Sequence, residues 1–220
     1  MPTDYGQKVQ GTGITRYERV EKASGGDGKW HYIDWQNLGQ SCGPACARMI
    51  GLMVTSKRMG ESYFAGLVSA SEQGQSASLN PLSDGAQLGH DFTAGGTLSD
   101  HLVTALQQSK VKASKASAAT TDWAATWQAT SEKKPAIISV LWSGGGGSAH
   151  FIVIAGPMAG YSDRYLVLDP WYGVQQISKA TPTTYSPRQG GGNAGLALGT
   201  GEMQISAGHW VECVLTDGQT

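Results

Sequence analysis

The stretch QNLGQSCGPA, residues 36–45, decides how the rest of the chain is interpreted. A helical pattern begins at Cys42, because apolar residues recur at three- and four-residue steps at positions 42, 46, 49, 50 and 53. Pro44 falls in the predicted first turn, where a missing N–H group costs least. The reactive form of cysteine is the thiolate, and the partial positive charge of a helix N-terminus favours that form. The stretch therefore predicts Cys42 as a nucleophile at the start of a helix.

Gln36 lies six residues before the cysteine, in the loop that leads to the predicted helix. An amide side chain beside the sulfur can donate a hydrogen bond to the oxyanion of a tetrahedral intermediate, alongside a backbone N–H group. Gln40 competes for this role, but it is only two residues from Cys42 and falls more naturally in the helix-entry turn. We therefore predict that Gln36 is the oxyanion donor.

Two later segments place a histidine and a carboxylate at the ends of strands. His150 opens an apolar run in SAHFIVIAG, residues 148–156, and Asp169 ends the next run in YLVLDPWYG, residues 165–173. Adjacent antiparallel strands can bring two such side chains together, and the carboxylate then fixes the imidazole tautomer and stabilises the imidazolium. The simpler interpretations are a core histidine and a turn that starts at the aspartate. Because both segments follow the cysteine segment, we predict that His150 is the base and Asp169 its orienting partner.

Helical patterns occupy the first half of the chain and strand patterns the second half. Beyond Cys42, helices are predicted from Thr97, where Thr97 and Asp100 form a capping-box-like start, and over residues 122–130. Strands are predicted at residues 136–142, 151–155, 165–168 and 209–215, where β-branched and aromatic runs are broken by Gly, Pro and Asp. Helices followed by a mostly antiparallel sheet define an α+β fold.

A chain of 220 residues is expected to form one main domain. Residues 1–29 are polar and glycine-rich, so we predict an N-terminal arm followed by a single domain over residues 30–220. Residues 143–148 have the composition of a flexible linker, but both flanks are predicted strands of one sheet, which favours a hairpin loop. Residues 71–96 and 190–201 are predicted to be mostly loop.

The composition excludes several classes of function. The net charge is −1 and charged residues make up 15% of the chain, so nothing favours electrostatic capture of nucleic acid or of an anionic membrane. No run approaches the ~18 apolar residues that are needed to span a bilayer. The N-terminus lacks a basic region followed by an apolar one, so no Sec signal peptide is predicted. We expect the protein in the cytoplasm or exported by a dedicated secretion system.

The three cysteines are Cys42, Cys46 and Cys213. An odd and sparse count argues against a disulfide framework, because at least one thiol stays free in any pairing. Cys46 lies one turn along the predicted helix, and Cys213 lies in an apolar run. Free cysteine is usually a small core residue, so both are predicted to be structural.

The motifs Gln-x5-Cys-Gly-Pro-Ala, His-Phe-Ile-Val-Ile-Ala-Gly and Leu-Asp-Pro-Trp-Tyr-Gly occur in this order over residues 36–177. In this combination the chain resembles the C39-like peptidases of the papain-like cysteine protease clan. That group includes bacteriocin-processing peptidase domains and AvrRpt2-like effector proteases. The resemblance implies a papain-like fold with Cys42 as nucleophile, His150 as base and acid, Asp169 as orienting residue and Gln36 as oxyanion donor.

Two features differ from papain itself. The sequence Cys-Gly-Pro-Ala-Cys at residues 42–46 does not match the papain signature, and the third member of the triad is Asp169 where papain has asparagine. Residues 60–96 have no matching counterpart, so the substrate groove is unassigned. The resemblance implies a peptide or protein substrate and no cofactor. It also points to a secreted bacterial effector, with a cognate inhibitor or immunity protein as its partner.

Three alternatives are left open by the sequence. A metal-binding module would use Cys42, Cys46 and His150, although Cys-x3-Cys is not the usual two-residue knuckle. A catalytically inactive papain-like domain would only bind peptide. The same triad also carries out peptidoglycan amide hydrolysis and acyl transfer, and each of these reactions passes through an acyl-thioenzyme. Because all four site residues are present, we favour an active cysteine peptidase.

Overall fold

The computed structural model describes residues 18–22, 27–36, 41–74, 97–117, 123–142, 149–179, 184–185, 203–204 and 212–220. Over these residues the helices are α1 (Cys42–Thr55), α2 (Glu61–Glu72), α3 (Ser99–Gln108) and α4 (Trp123–Ala129). The strands are β1 (Glu18–Lys22), β2 (Trp30–Asp34), β3 (Val111–Ser117), β4 (Ala136–Trp142), β5 (Ala149–Pro157), β6 (Arg164–Asp169), β7 (Gly173–Ser178), β8 (Thr184–Tyr185), β9 (Met203–Gln204) and β10 (Glu212–Gln219). None of the helices in this described part of the chain is long and apolar enough to cross a membrane.

One antiparallel sheet forms the framework of the fold. Its strands follow the order β3-β10-β4-β5-β6-β7, and every neighbouring pair is antiparallel. The short strand β9 pairs with β4 and with β8. β1 and β2 form a separate two-stranded antiparallel sheet. The α+β class predicted from the sequence, with helices packed on a mostly antiparallel sheet, is confirmed.

Both faces of the central sheet are apolar, because successive side chains of a strand point to opposite faces. On one face, Val153 of β5 belongs to the same core as Ile50 of α1. On the other face, Ile154 of β5 belongs to a second core that contains Trp127 of α4. α1 packs directly on β5. The helix of the predicted nucleophile therefore lies on the strand of the predicted catalytic histidine.

The hairpin predicted around residues 143–148 is confirmed by the pairing of its flanks, although the loop itself lies outside the described residues. β4 and β5 pair antiparallel, with Leu141 opposite Ala149. β4 coincides with the predicted strand at residues 136–142, and α4 matches the predicted third helix to within one residue at each end. A run of β-branched and aromatic residues, and two tryptophans four residues apart at positions 123 and 127, were therefore sufficient to locate these elements.

The predicted capping box at the start of α3 is wrong. The helix begins at Ser99 with Leu98 as its N-cap residue, and no side chain makes a capping hydrogen bond. Thr97 instead packs against the first turn of α1, where a Cβ atom on Gly43 would lie only 2.9 Å from the Thr97 Cβ. Packing between two helices therefore determines the place of Thr97.

Several elements lie where no helix or strand was predicted, notably α2, β3 and β7. The first nine residues of α2 are all buried, so this helix lacks the polar face that produces a clear 3.6-residue period. β3 reads VKASKAS, and Lys, Ser and Ala are not typical strand residues. β1 lies within the predicted N-terminal arm, and the division into an arm and one domain stays a prediction. Residues 75–96 and 190–201, predicted as loops, lie outside the described residues.

Candidate active site

Cys42 is the first residue of α1, as the sequence predicts. It is 8% exposed, whereas Cys46, one turn further along the helix, has no exposed surface. Ser41 is the N-cap residue and makes no side-chain capping hydrogen bond to the first turn. The Cys42 thiol therefore lies at the positive end of a helix, beside backbone N–H groups that are not engaged by a capping side chain.

His150 and Asp169 meet at one edge of the sheet, near the start of β5 and at the end of β6. The two strands are antiparallel neighbours with Val153 opposite Leu168, so the first residues of β5 lie next to the last residues of β6. His150 Nε2 lies 2.9 Å from Asp169 Oδ1, and both side chains are buried. His150 and Asp169, which the strand pattern placed side by side, are in direct contact.

The Asp169 carboxylate also organises the turn that follows β6. The backbone N–H groups of Trp171 and Tyr172 donate to Asp169 Oδ1 at 2.7 and 3.1 Å. The same oxygen thus contacts the imidazole and accepts two bonds from the turn, so the predicted turn at Asp169 is present and its catalytic role stays a prediction. Sequence reasoning did not include these two N–H groups in the site, although the DPWYG motif after an apolar run was the pattern that indicates them.

The ionisation of His150 is determined by opposing effects. Burial alone lowers its pKa, but the charge of Asp169 and hydrogen bonds with Asp169 and Cys42 raise the pKa to about 10. Because Nε2 faces Asp169, Nδ1 is the ring nitrogen left for the hydrogen bond with the thiol. At neutral pH the ring is therefore an imidazolium that contacts a carboxylate on one side and the sulfur on the other.

Gln36 is buried just after β2, close to the same turn. Its backbone N–H donates to the carbonyl oxygen of Pro170 at 3.1 Å. The structure thus brings all four predicted site residues into one region. A hydrogen bond with Cys42 contributes to the raised pKa of His150, His150 lies 2.9 Å from Asp169, and Gln36 is bonded to the residue that follows Asp169.

The other two thiols lie in the core, as predicted. Cys46 Sγ donates to the carbonyl oxygen of Phe151 at 3.3 Å. Burial, followed by the charges of Cys42 and Asp169, holds the pKa of Cys46 well above its ordinary value. Burial likewise raises the pKa of Cys213. A thiol with a raised pKa stays protonated and is a poor nucleophile, so neither Cys46 nor Cys213 is expected to attack a substrate.

The metal-binding alternative finds no support in this geometry. Among the residues that the structure describes, no group of three or more His, Cys, Asp or Glu side chains is arranged to hold a metal ion. Cys46 directs its S–H to a backbone carbonyl, and His150 directs Nε2 to Asp169. A metal ion shared by Cys42, Cys46 and His150 would have to displace the bond from Cys46 to the Phe151 carbonyl oxygen.

A thiol, an imidazole and a carboxylate in successive contact form an arrangement typical of thiol hydrolases. No protein-family model and no curated protein sequence matches the chain. Among solved structures, the chain is similar to the peptidase domain of Streptococcus ComA, a bifunctional ABC transporter involved in a quorum-sensing pathway. That similarity has 14% identity and a TM-score of 0.48, and it covers 84% of this chain and 96% of the other. The chain is also similar to the Pseudomonas avirulence protein AvrPphB, with 13% identity, a TM-score of 0.34, and 82% and 91% of the two chains covered. We rest the functional proposal on the geometry of the site and not on these similarities.

Proposed function

We propose that this protein is a papain-like cysteine peptidase that hydrolyses peptide or amide bonds through an acyl-thioenzyme. One observation carries the proposal: a single imidazole contacts a thiol at a helix N-terminus and, at 2.9 Å, a buried carboxylate. A histidine that only filled the core would need neither a thiol on one side of its ring nor a carboxylate on the other. In an activated cysteine nucleophile the imidazole is the base beside the thiol, and the carboxylate orients the imidazole.

In the first half of the proposed reaction, the imidazolium of His150 stabilises the thiolate of Cys42. The thiolate attacks the carbonyl carbon of the substrate, and the Gln36 side chain and the backbone N–H of Cys42 donate to the resulting oxyanion. When the intermediate collapses, the C–N bond breaks and His150 gives its proton to the leaving amine. The acyl group remains on Cys42 as a thioester.

In the second half, the neutral imidazole of His150 accepts a proton from a water molecule as that water attacks the thioester carbonyl. The new tetrahedral intermediate expels the Cys42 thiolate and releases the carboxylic acid. His150 is then an imidazolium again. Asp169 keeps the Nε2–H of the ring oriented throughout, and the N–H groups of Trp171 and Tyr172 hold the carboxylate in place.

Amidase and acyltransferase reactions use the same thioester and differ only in the acyl donor or the acceptor. We place peptide hydrolysis first because the ordered motifs resemble those of C39-like peptidases. From the same resemblance we propose a role as a secreted bacterial effector, with an inhibitor or immunity protein as its partner. A catalytically inactive domain that only binds peptide would show none of the turnover described next.

The proposal is tested by offering one preparation two classes of substrate. Wild-type protein and Cys42→Ala are incubated separately with a proteome-derived peptide pool and with peptidoglycan fragments, and new amino termini are identified by labelling and mass spectrometry. We expect new termini in the peptide pool with wild type only. Cleavage of the peptidoglycan fragments alone would make the protein an amidase. Identical profiles for the two proteins in both pools would contradict a cysteine hydrolase.

A further inference from the structure

A buried ion pair joins β2 to α1 beside the candidate site. Arg48 Nη1 lies 2.9 Å from Asp34 Oδ1, and the two side chains are 3% and 0% exposed. Arg48 Nε also donates to the carbonyl oxygen of Met59 at 2.7 Å. Because two different nitrogens are engaged, the direction of the guanidinium is fixed and the pair forms a rigid link.

Stability alone is a weak reason for such a pair. Burying two charges costs desolvation energy, and apolar residues of similar volume are often no less stable in the same place. A buried ion pair is better suited to hold two elements in one particular alignment. The two elements aligned here both lead to residues of the candidate site.

Arg48 lies in the same helix as Cys42, and Asp34, the last residue of β2, comes two residues before Gln36. At its other end, this short segment is attached through the Gln36 backbone N–H to the carbonyl oxygen of Pro170, at 3.1 Å. Gln36 is thus held between two fixed points. One is the helix of the nucleophile, and the other is the turn after β6 that holds the carboxylate of the site.

The electrostatics of Cys46 agree with this compact arrangement. After burial, the charges that raise its pKa belong to Cys42, Asp169 and Asp34. The carboxylate of the ion pair therefore acts on a residue that lies one helical turn from the nucleophile. The ion pair and the candidate site are parts of one cluster.

We propose that Arg48 and Asp34 are positioning residues whose ion pair sets the place of the Gln36 amide relative to the Cys42 sulfur. The inference rests on the proposed function, because the position of Gln36 matters only if an oxyanion forms at Cys42. The pair acts through Gln36 and not on the substrate. Its removal therefore slows the step that forms an oxyanion and leaves the intrinsic reactivity of the thiol unchanged.

Two reagents distinguish oxyanion stabilisation from the intrinsic reactivity of the Cys42 thiol. Acylation of Cys42 by p-nitrophenyl acetate passes through a tetrahedral oxyanion, forms a thioester and releases p-nitrophenolate. Alkylation by iodoacetamide forms a C–S bond, displaces iodide in a single step and creates no oxyanion. The ratio of the two rate constants reports oxyanion stabilisation, and it requires no knowledge of the natural substrate.

The ratio is measured in wild type, in Gln36→Ala and in the double variant Asp34→Leu/Arg48→Met, which leaves no buried charge unpaired. We expect acylation of the double variant to fall by about 10-fold and alkylation to change by less than about twofold. Arg48→Lys keeps the charge but loses the forked geometry, so it shifts the ratio in the same direction. In the Gln36→Ala background the double substitution has no further effect on the ratio, because its effect runs through Gln36.

His31→Gln provides a matched control, because His31, in the first part of β2, makes another buried side-chain contact: its Nε2 lies 2.9 Å from Asp27 Oδ2. This variant leaves the ratio unchanged. An equal fall of both rates in the Asp34→Leu/Arg48→Met variant, or a further loss in the Gln36→Ala background, overturns the positioning role. If wild type shows no acylation beyond that of Cys42→Ala, both this inference and the proposed function are overturned.

Discussion

The two halves of the candidate site are held together in different ways. His150 and Asp169 lie on adjacent strands of the central sheet, and the register of β5 and β6 keeps them in contact. Cys42 lies at the start of α1 and Gln36 lies just after β2, so this half depends on how a helix and a loop segment are attached to the rest of the fold. A sheet distributes its stabilisation over many hydrogen bonds, so we expect the first half to tolerate substitution better than the second.

The largest expected effect is that of Cys42→Ala, which removes the nucleophile from the helix half of the site. We expect turnover to fall by at least about 10,000-fold while the fold is retained. Release of p-nitrophenolate and circular dichroism check the two parts of this statement. Cys46→Ala, one turn along the same helix, is the matched control and keeps most of the activity. Equal losses of turnover in the two variants would contradict the assignment of Cys42 as the nucleophile.

Asp169→Asn probes the strand half and has a smaller expected effect. Asparagine keeps an oxygen that can accept from His150, Trp171 and Tyr172, so the turn is preserved. The charge that raises the pKa of His150 is lost, so this pKa falls from about 10 toward its ordinary range. We expect activity at neutral pH to fall by less than about 100-fold, and the upper pH limit of amide hydrolysis to move down, because His150 must carry a proton to protonate the leaving amine. An unchanged upper limit would show that Asp169 does not control the charge on the ring.

Gly43→Ala tests how closely the helix start is packed. Its new Cβ would lie 2.9 Å from the Thr97 Cβ, an atom that cannot move without its backbone. We expect a loss of about 1–3 kcal/mol in the free energy of unfolding and slower alkylation of Cys42. In Gly51→Ala, further along the same helix, the Cβ would meet the flexible end of the Met59 side chain at 2.6 Å. The two variants are compared by urea unfolding and by the rate of Cys42 alkylation. Equal alkylation rates would contradict the claim that packing at the first turn of α1 controls the reactivity of Cys42.

The last comparison concerns the pH dependence of stability that His150 contributes. Its pKa is raised in the folded protein, from 6.5 to about 10, so the folded state binds the proton more tightly than the unfolded state. This contribution is fully present below about pH 6.5 and is lost as the pH rises through about 10. Urea unfolding across this range compares wild type with Asp169→Asn. Parallel curves for the two proteins would contradict the assignment of the stabilising charge to Asp169.

The parts of the molecule that could be predicted are those with a local sequence pattern. The apolar run that follows His150 and the one that ends at Asp169 alternate in and out of the sheet, so strand ends and their neighbours follow from the sequence alone. The start of α1 at Cys42 is likewise a local feature, because apolar spacing and Pro44 mark it. These patterns were sufficient to place Cys42, His150 and Asp169 at the ends of their elements.

The remaining features depend on contacts between distant parts of the chain. Nothing near Arg48 indicates that its charge meets Asp34 in the core, beyond its presence among apolar residues of α1. The bond from Gln36 to Pro170 joins residues that no periodicity connects. Thr97 is of a residue type that often caps helices, but here its side chain packs against the first turn of α1. Tertiary packing overrides local propensity at such positions.

The claim that His150 activates Cys42 is tested most directly by the rate of iodoacetamide alkylation, mapped to each cysteine by peptide mass spectrometry. We expect Cys42 to be labelled at neutral pH well before Cys46 and Cys213, whose pKa values are raised by burial. Exposure alone could produce that order, so the decisive comparison is with His150→Gln, in which alkylation of Cys42 should slow by at least about 10-fold. An unchanged Cys42 rate in His150→Gln, or equal rates at all three thiols in the folded wild type, would contradict the account.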